Sequence, residues 1–395
     1  MSQINSQASP ATMRICVIYD CLFPWTIGGA ERWYRRLAEG LAADGHEVTY
    51  LTMRQWERTD EPDIQGVRVV AVSPRMALYV SGRRRILPPV MFGLGIFWHM
   101  LRHGRRYDYI HTASFPFFSL IAVGILKPIF SFRIAVDWIE VWTKTYWESY
   151  LGRLGKLGWV TQKLCAYIPQ SAYSFSQLHA QRARELLGLK NVIPLTGFFP
   201  GSGRHPLMEA SNPPVVVYAG RLIAEKRVSL LVEALAICMA GERELKAVIF
   251  GSGPEFASIK AQITGLGLNQ RIDLPGFVDQ ELMDRTIATA SVLVQPSERE
   301  GYGIVVAEAS ACGIPVVVID GEDNAATELV DDGQNGYKAP DASADTLASA
   351  ITRCLARSST LRQSTRNWYG KNAERLSMES SVAHVRASLH SMIRN

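Results

Sequence analysis

Residues 291–308 read Ser291-Val-Leu-Val-Gln-Pro-Ser-Glu-Arg-Glu300-Gly-Tyr-Gly-Ile-Val-Val-Ala-Glu308. Ser291–Gln295 is short, apolar and rich in β-branched residues, as a buried strand is. Pro296–Arg299 is a polar turn. Gly301 and Gly303 then open a short helix running into Ala309-Ser-Ala-Cys-Gly313. Bare amides at a helix start favour negative charge, which suits a phosphate. Glu300 and Glu308 flank those amides, and ionised carboxylates accept well from hydroxyls. A ligand with phosphate and vicinal hydroxyls together is a nucleotide sugar.

The same strand-then-helix pattern runs outward in both directions. In the first half, strands are predicted at Arg14–Tyr19, Glu47–Thr52, Val67–Val72, Tyr107–His111, Arg133–Val136 and Gln170–Ser176. A helix over Ala30–Asp44 ends at Gly45. Gly197–Pro214 is rich in proline and glycine and reads as a linker. Strands then restart at Val215–Ala219, Lys246–Phe250, Arg271–Leu274, Ser291–Gln295 and Pro315–Ile319. Such alternation predicts an α/β protein of two doubly wound, Rossmann-like domains facing a cleft. The expected division is residues 1–205, 206–375 and a C-terminal helix over 376–395 that can cross back to the first domain. A length of 395 residues agrees with two domains.

Composition narrows the class. The chain is 47% apolar and 20% charged, as globular proteins are. Its six cysteines form no Cys-x-x-Cys pair and no His/Cys cluster, so free thiols in a reducing compartment are expected, with no metal site. The first thirteen residues lack the apolar core of a secretory signal, and a cytoplasmic location is expected. Net charge is +5 overall. The first 200 residues hold 23 basic and 14 acidic side chains, and the rest hold 19 and 23. An anionic membrane surface is therefore an expected partner of the basic first domain, and nucleic acid is not. Ile86–Leu101 and Ala113–Phe130 are apolar but broken by proline. Both fit buried helices or interfacial segments, with Arg83–Arg85, Arg102, Arg105 and Arg106 beside Phe92, Phe97 and Trp98.

Further motifs sit where strands end. Gly220 and Arg221 follow Val215–Ala219, and Lys226 comes five residues later. Two cations ahead of a helix suit a diphosphate, with Arg gripping two oxygens and Lys adding a point charge. Gly251-Ser252-Gly253 permits close approach of a ligand or of a neighbouring loop. Backbone groups of Gly276, Phe277 and Val278 are placed to face a base. Gly28-Gly29 joins the first strand to the first helix and lets amides approach an anion. It is neither a dinucleotide fingerprint nor a P-loop.

Taken in order, these motifs resemble the family-4 retaining glycosyltransferases of GT-B fold. Cys312-Gly-Ile-Pro-Val316, Glu328-Leu-Val330, Asp332-Gly333 and Asn335-Gly336 extend the resemblance. It implies that Arg221 and Lys226 bind the donor diphosphate and that Glu308 holds the ribose. It implies that Glu300 contacts the transferred sugar. Amides at Gly303 and Ile304 would help hold phosphate, with Gly28-Gly29 at its distal end. Many relatives carry a histidine after the fifth strand; Val136-Asp-Trp-Ile-Glu-Val-Trp142 has none. Asp137 is the candidate replacement, Glu140 the alternative, and His111 reads as structural. The cluster Trp138, Trp142, Tyr146, Trp147 and Tyr150 suits either core packing or stacking on an acceptor.

The expected activity is metal-independent, retaining transfer from a nucleotide-diphosphate sugar, with no cofactor beyond that co-substrate. The expected acceptor is a sugar, glycolipid or lipid-linked hydroxyl of cell-surface polysaccharide synthesis. A non-catalytic nucleotide-sugar-binding protein and a nucleotide-sugar epimerase on the same scaffold are the alternatives.

Overall fold

The computed structural model describes residues 12–394 except 58, 81–82 and 202–207. The expected boundary at 205/206 lies outside the described residues. The first sheet is wholly parallel, in the order β3-β2-β1-β6-β7-β8-β9. Its strands are β1 Arg14–Ile18, β2 Glu47–Met53, β3 Val67–Ser73, β6 Tyr109–Ala113, β7 Arg133–Asp137, β8 Ser171–Ser174 and β9 Val192–Pro194. A two-residue hairpin, β4 Tyr79–Val80 and β5 Arg83–Arg84, stands apart. The second sheet is also parallel, in the order β12-β11-β10-β13-β14-β15. It comprises β10 Val215–Ala219, β11 Lys246–Phe250, β12 Ile272–Gly276, β13 Val292–Gln295, β14 Val316–Ile319 and β15 Gly336–Ala339.

Helices cover both faces of each sheet. They are α1 Gly29–Ala43, α2 Leu87–His103, α3 Phe118–Leu126, α4 Lys144–Leu151, α5 Gly155–Ala166 and α6 Gln177–Glu185. The second half adds α7 Val228–Gly241, α8 Phe256–Gly265, α9 Gln280–Thr289, α10 Ile304–Ala311, α11 Ala344–Ala356, α12 Ser358–Leu376 and α13 Met378–Arg394. Double coverage explains why β13 and β14 are continuous apolar runs buried along their whole length.

Three strands correct the expectations. The run at Tyr107–His111 pairs as Tyr109–Ala113: Tyr107 N–H closes the preceding turn onto Gly104 O (3.2 Å), and Thr112 and Ala113 continue the pairing with β7. Val192–Pro194 pairs with β8 and extends the first sheet to seven strands. Gly336–Ala339 pairs with β14 as the sixth strand of the second sheet.

The chain passes between the two lobes twice. It leaves the first near Phe199 and returns at Ser377. The two passages touch: Phe199 N–H donates to Leu376 O (3.1 Å) and Met378 N–H to Phe199 O (2.9 Å). Helix α13 then lies against α1, held by Arg386 on Asp44 and by Arg36 on Glu379 (3.1 Å). The C-terminal helix does cross back.

Candidate functional site

Strand carboxyl ends of both sheets face one another, and the predicted motifs meet there. Helix starts differ in how their amides are satisfied. Thr143, Ser176, Asp279 and Ser343 each cap a helix by accepting a backbone N–H. Gly28 and Gly303, which cap α1 and α10, offer no side-chain acceptor. Those two starts adjoin: a Cβ on Gly29 would lie 2.2 Å from Ile304 Cδ1. The starts of α1 and α10, one from each lobe, thus lie side by side, with the Glu31 carboxylate folded over Gly28, where a Cβ would meet its Oε2 at 2.3 Å. Gly303 sits at φ 92°, a left-handed conformation that glycine tolerates. A Cβ there would also meet Ala326 Cβ at 2.6 Å.

Arg221 follows β10 on an exposed turn; its carbonyl accepts from Tyr218 OH (3.0 Å). Among the described residues its guanidinium forms no ion pair. Gly251 and Gly253 explain themselves by loop packing. A Cβ on Gly251 would be 1.8 Å from Gly220 O, and one on Gly253 2.2 Å from Leu222 O. They bring the β11 loop against the loop that carries Arg221.

Lys226 and Glu300 are brought into direct contact, with Nζ 2.5 Å from Oε1. The same Oε1 accepts from Gln295 Nε2 (2.7 Å) and Ser297 Oγ (2.8 Å). Three donors converge on one oxygen and fix the carboxylate. Motif reading missed Gln295 and Ser297, although both flank Pro296 in the decisive stretch.

Glu308 is the opposite case. It is half-buried on α10, and no side-chain hydrogen bond satisfies it among the described residues. Burial, then the nearby charge of Asp284, push its pKa up to about 7 against the opposing pull of Arg32. A carboxylate in this state gains from hydroxyl donors. Gly276, at φ 84°, ends β12, and Phe277 beyond it is 73% exposed. The base-facing expectation for residues 276–278 therefore concerns an open strand end.

Asp137 requires a correction. It ends β7 with no exposure, and its carboxylate is engaged by Trp33 Nε1 (2.7 Å) and His111 Nε2 (2.9 Å). Both partners are buried, so the carboxylate has no open side toward a substrate. Asp137 and His111 form a structural pair beneath the cleft. Glu140, the alternative, does reach the second lobe. Its Oε2 accepts from Arg299 Nη1 (2.6 Å) and Trp142 Nε1 (2.7 Å). Burial would raise its pKa, but Arg299 leads the neighbours that hold it below the usual carboxylate value.

Of the aromatic cluster, Trp138, Trp142 and Trp147 are buried core. Tyr146 donates to Glu225 Oε1 across the cleft (2.9 Å), and Tyr150 is exposed. His179 is buried behind this region. Burial lowers its pKa to about 4, despite the opposing charge of Glu140. Other ties join the lobes. Glu328 accepts from the N–H groups of Gln177 and Leu178, each at 2.8 Å, and so covers the start of α6. Arg182 pairs with Asp323. Tyr302 OH donates to Thr196 O (2.8 Å).

Comparison with known proteins agrees with this architecture. The sequence model of the glycosyl transferases group 1 matches residues 204–375, and that of the glycosyl transferase 4-like domain matches residues 28–195. Alpha-D-kanosaminyltransferase of Streptomyces kanamyceticus is 33% identical over 142 residues, 36% of this chain and 36% of that protein. The alignment therefore spans about a third of that relative's length. Sucrose-phosphate synthase from Thermosynechococcus elongatus superposes with a TM-score of 0.78 at 19% identity, covering 97% of this chain and 99% of the other. Anabaena HepE, solved in complex with UDP-glucose, gives 0.71 at 18% identity over 96% and 100%. These likenesses establish the fold.

Proposed function

We propose that this chain, which belongs to the GT-B glycosyltransferases, moves a sugar from a nucleotide-diphosphate donor to an acceptor hydroxyl. The observation that carries the reading is the contrast between its two motif carboxylates. Glu300 is fixed by three donors, while Glu308 is desolvated with its hydrogen-bonding capacity unused. One suits a rigid wall for a sugar, the other a grip on ribose hydroxyls.

Transfer loads negative charge onto the departing diphosphate. Arg221, Lys226 and the amide starts of α1 and α10 are the groups that would receive it. In our reading these fixed charges suffice without a divalent ion. The acceptor proton passes to the leaving phosphate oxygen as the new glycosidic bond forms on the same face. The anomeric configuration is then retained and no protein nucleophile is needed. Glu300 orients the sugar.

We place the acceptor, a sugar or lipid-linked hydroxyl, on the side of the first domain, at a membrane face. No described helix is long and apolar enough to cross a membrane. Helix α5 nevertheless turns Leu157, Val160 and Leu164 outward, flanked by exposed Leu154 and Tyr167. Arg153, Lys156 and Lys163 accompany them, and Arg102 lies over exposed Trp98 on α2. Apolar and basic groups together suit an anionic bilayer surface. Of the expected basic run, Arg83 and Arg84 have side chains outside the described residues.

The test is turnover of a panel of labelled nucleotide sugars, with and without chelator, by wild type and by Arg221→Ala/Lys226→Ala. Acceptor-dependent product from wild type alone, insensitive to chelator and of retained configuration, is expected. A folded double mutant with normal turnover rejects the phosphate site. Interconversion of the donor without any acceptor favours the epimerase, and nucleotide binding without chemistry favours the binding protein.

A further inference from the structure

Arg299 stands immediately before Glu300 and belongs to both lobes at once. Its carbonyl accepts from Lys226 Nζ (3.4 Å). Its guanidinium reaches the loop after β7, pairing with Glu140 at 2.6 Å, and lies 3.8 Å from Glu225, the neighbour of Lys226. Two aromatic rings lie against the cation from one side: Cζ is 4.6 Å from the Trp142 centroid and 4.3 Å from that of Tyr146, and the two centroids are 4.9 Å apart. Tyr146 OH then donates to Glu225, closing a ring of contacts through both lobes. A Cβ on Gly301 would meet Glu140 Cγ at 2.9 Å, so the first-domain loop lies directly on the Glu300 turn.

The Arg299 side chain is only 15% exposed. A buried cation needs its counter-charges in place, and Arg299 has the nearer of its two, Glu140, only while the lobes are together; Glu225 belongs to its own lobe. Lysine does not reproduce the arrangement, because it lacks the planar fork and the stacking faces. We propose that Arg299 is a positioning residue: it registers the segment 138–150 of the first domain, the loop after β7 and most of α4, against the turn that carries Glu300, so that the acceptor side and the donor side meet in one geometry. The inference rests on the glycosyl-transfer reading for its consequence, but not for its structure.

The experiment compares Arg299→Lys, Arg299→Ala, Glu140→Gln and the Arg299→Lys/Glu140→Gln pair. Turnover, nucleotide affinity by calorimetry, the ratio of donor hydrolysis to transfer, and the spacing of the lobes by small-angle scattering are read for each. Misregistered reactants should lower transfer kcat by about tenfold or more. Nucleotide affinity should stay within about threefold, since no donor contact is assigned to this side chain. The hydrolysis-to-transfer ratio should rise, the lobes should separate, and the pair should be no worse than its worse member. Normal kcat in both Arg299 variants overturns the proposal. So do parallel losses of kcat, nucleotide affinity and melting temperature without a change in spacing, which would make Arg299 a fold-stabilising residue alone. If wild type transfers no sugar at all, the glycosyl-transfer reading fails by itself. The scattering arm then still decides whether Arg299 holds the lobes.

Discussion

Lys226 Nζ lies 2.5 Å from Glu300 Oε1, so the cation assigned to the donor phosphate and the carboxylate assigned to its sugar are each other's counter-ion. Both side chains are mostly buried. Removing either leaves a poorly solvated charge, at a cost of roughly 3 kcal/mol. Glu300→Ala should therefore destabilise the fold by about that much, and Glu300→Ala/Lys226→Ala by less than the sum of the single changes. Denaturant melts of the four proteins measure it. Strict additivity would mean that the pair is not coupled.

Glu308 links pH to stability. Its pKa in the fold is about 7, against an ordinary value of 4.5. An acid with a raised pKa binds its proton more tightly when folded. Stability from this group is therefore gained as pH falls from about 7 toward 4.5 and is lost above that window. Glu308→Gln should raise the melting temperature at pH 8 by about 2–4 °C. The gain should shrink at pH 5. Nucleotide affinity should fall in the same variant, because a neutral amide is a weaker acceptor for hydroxyls. Unchanged affinity by calorimetry rejects the ribose role.

Gly303 combines a left-handed backbone with a neighbour where its side chain would be. Gly303→Ala should cost roughly 2 kcal/mol and displace the start of α10. A larger fall in nucleotide affinity than in stability is expected. Wild-type behaviour on both counts contradicts the phosphate role given to this helix start.

Glu328 serves the start of a helix that belongs to the other lobe. Glu328→Ala leaves two amides of α6 without that acceptor, at about 1 kcal/mol. Faster amide exchange confined to Gln177 and Leu178 should accompany it. Exchange unchanged there means that the cap is not populated in solution.

The outward face of α5 predicts a surface effect. Leu157→Glu/Leu164→Glu should weaken co-sedimentation with anionic vesicles by about tenfold or more, leaving turnover on a water-soluble acceptor intact. Equal binding by the variant removes the reason to place a bilayer there.

Much of this was legible in the chain because parallel strands covered on both sides must be apolar throughout, as Val292-Leu-Val and Val316-Val-Val-Ile are. Helix starts without side-chain caps were equally visible as Gly28 and Gly303. What escaped were features made by distant partners. Val192–Pro194 is three residues long and contains proline, so nothing but its pairing with β8 marks it as a strand. Asp137 looked like an open strand-end acid, because Trp33 and His111 reach it from 104 and 26 residues away. Arg299 looked like one more basic residue beside a glutamate until Trp142 and Tyr146 closed on it.

The two passages of chain between the lobes, at Phe199 and at Leu376–Met378, are laced together by main-chain hydrogen bonds. A sliding motion of one half past the other would tear that lacing. A turn about it as an axle would not. Any parting of the lobes is therefore expected to pivot there, at the cost of the ties Glu140–Arg299, Arg182–Asp323 and Tyr302–Thr196 farther out.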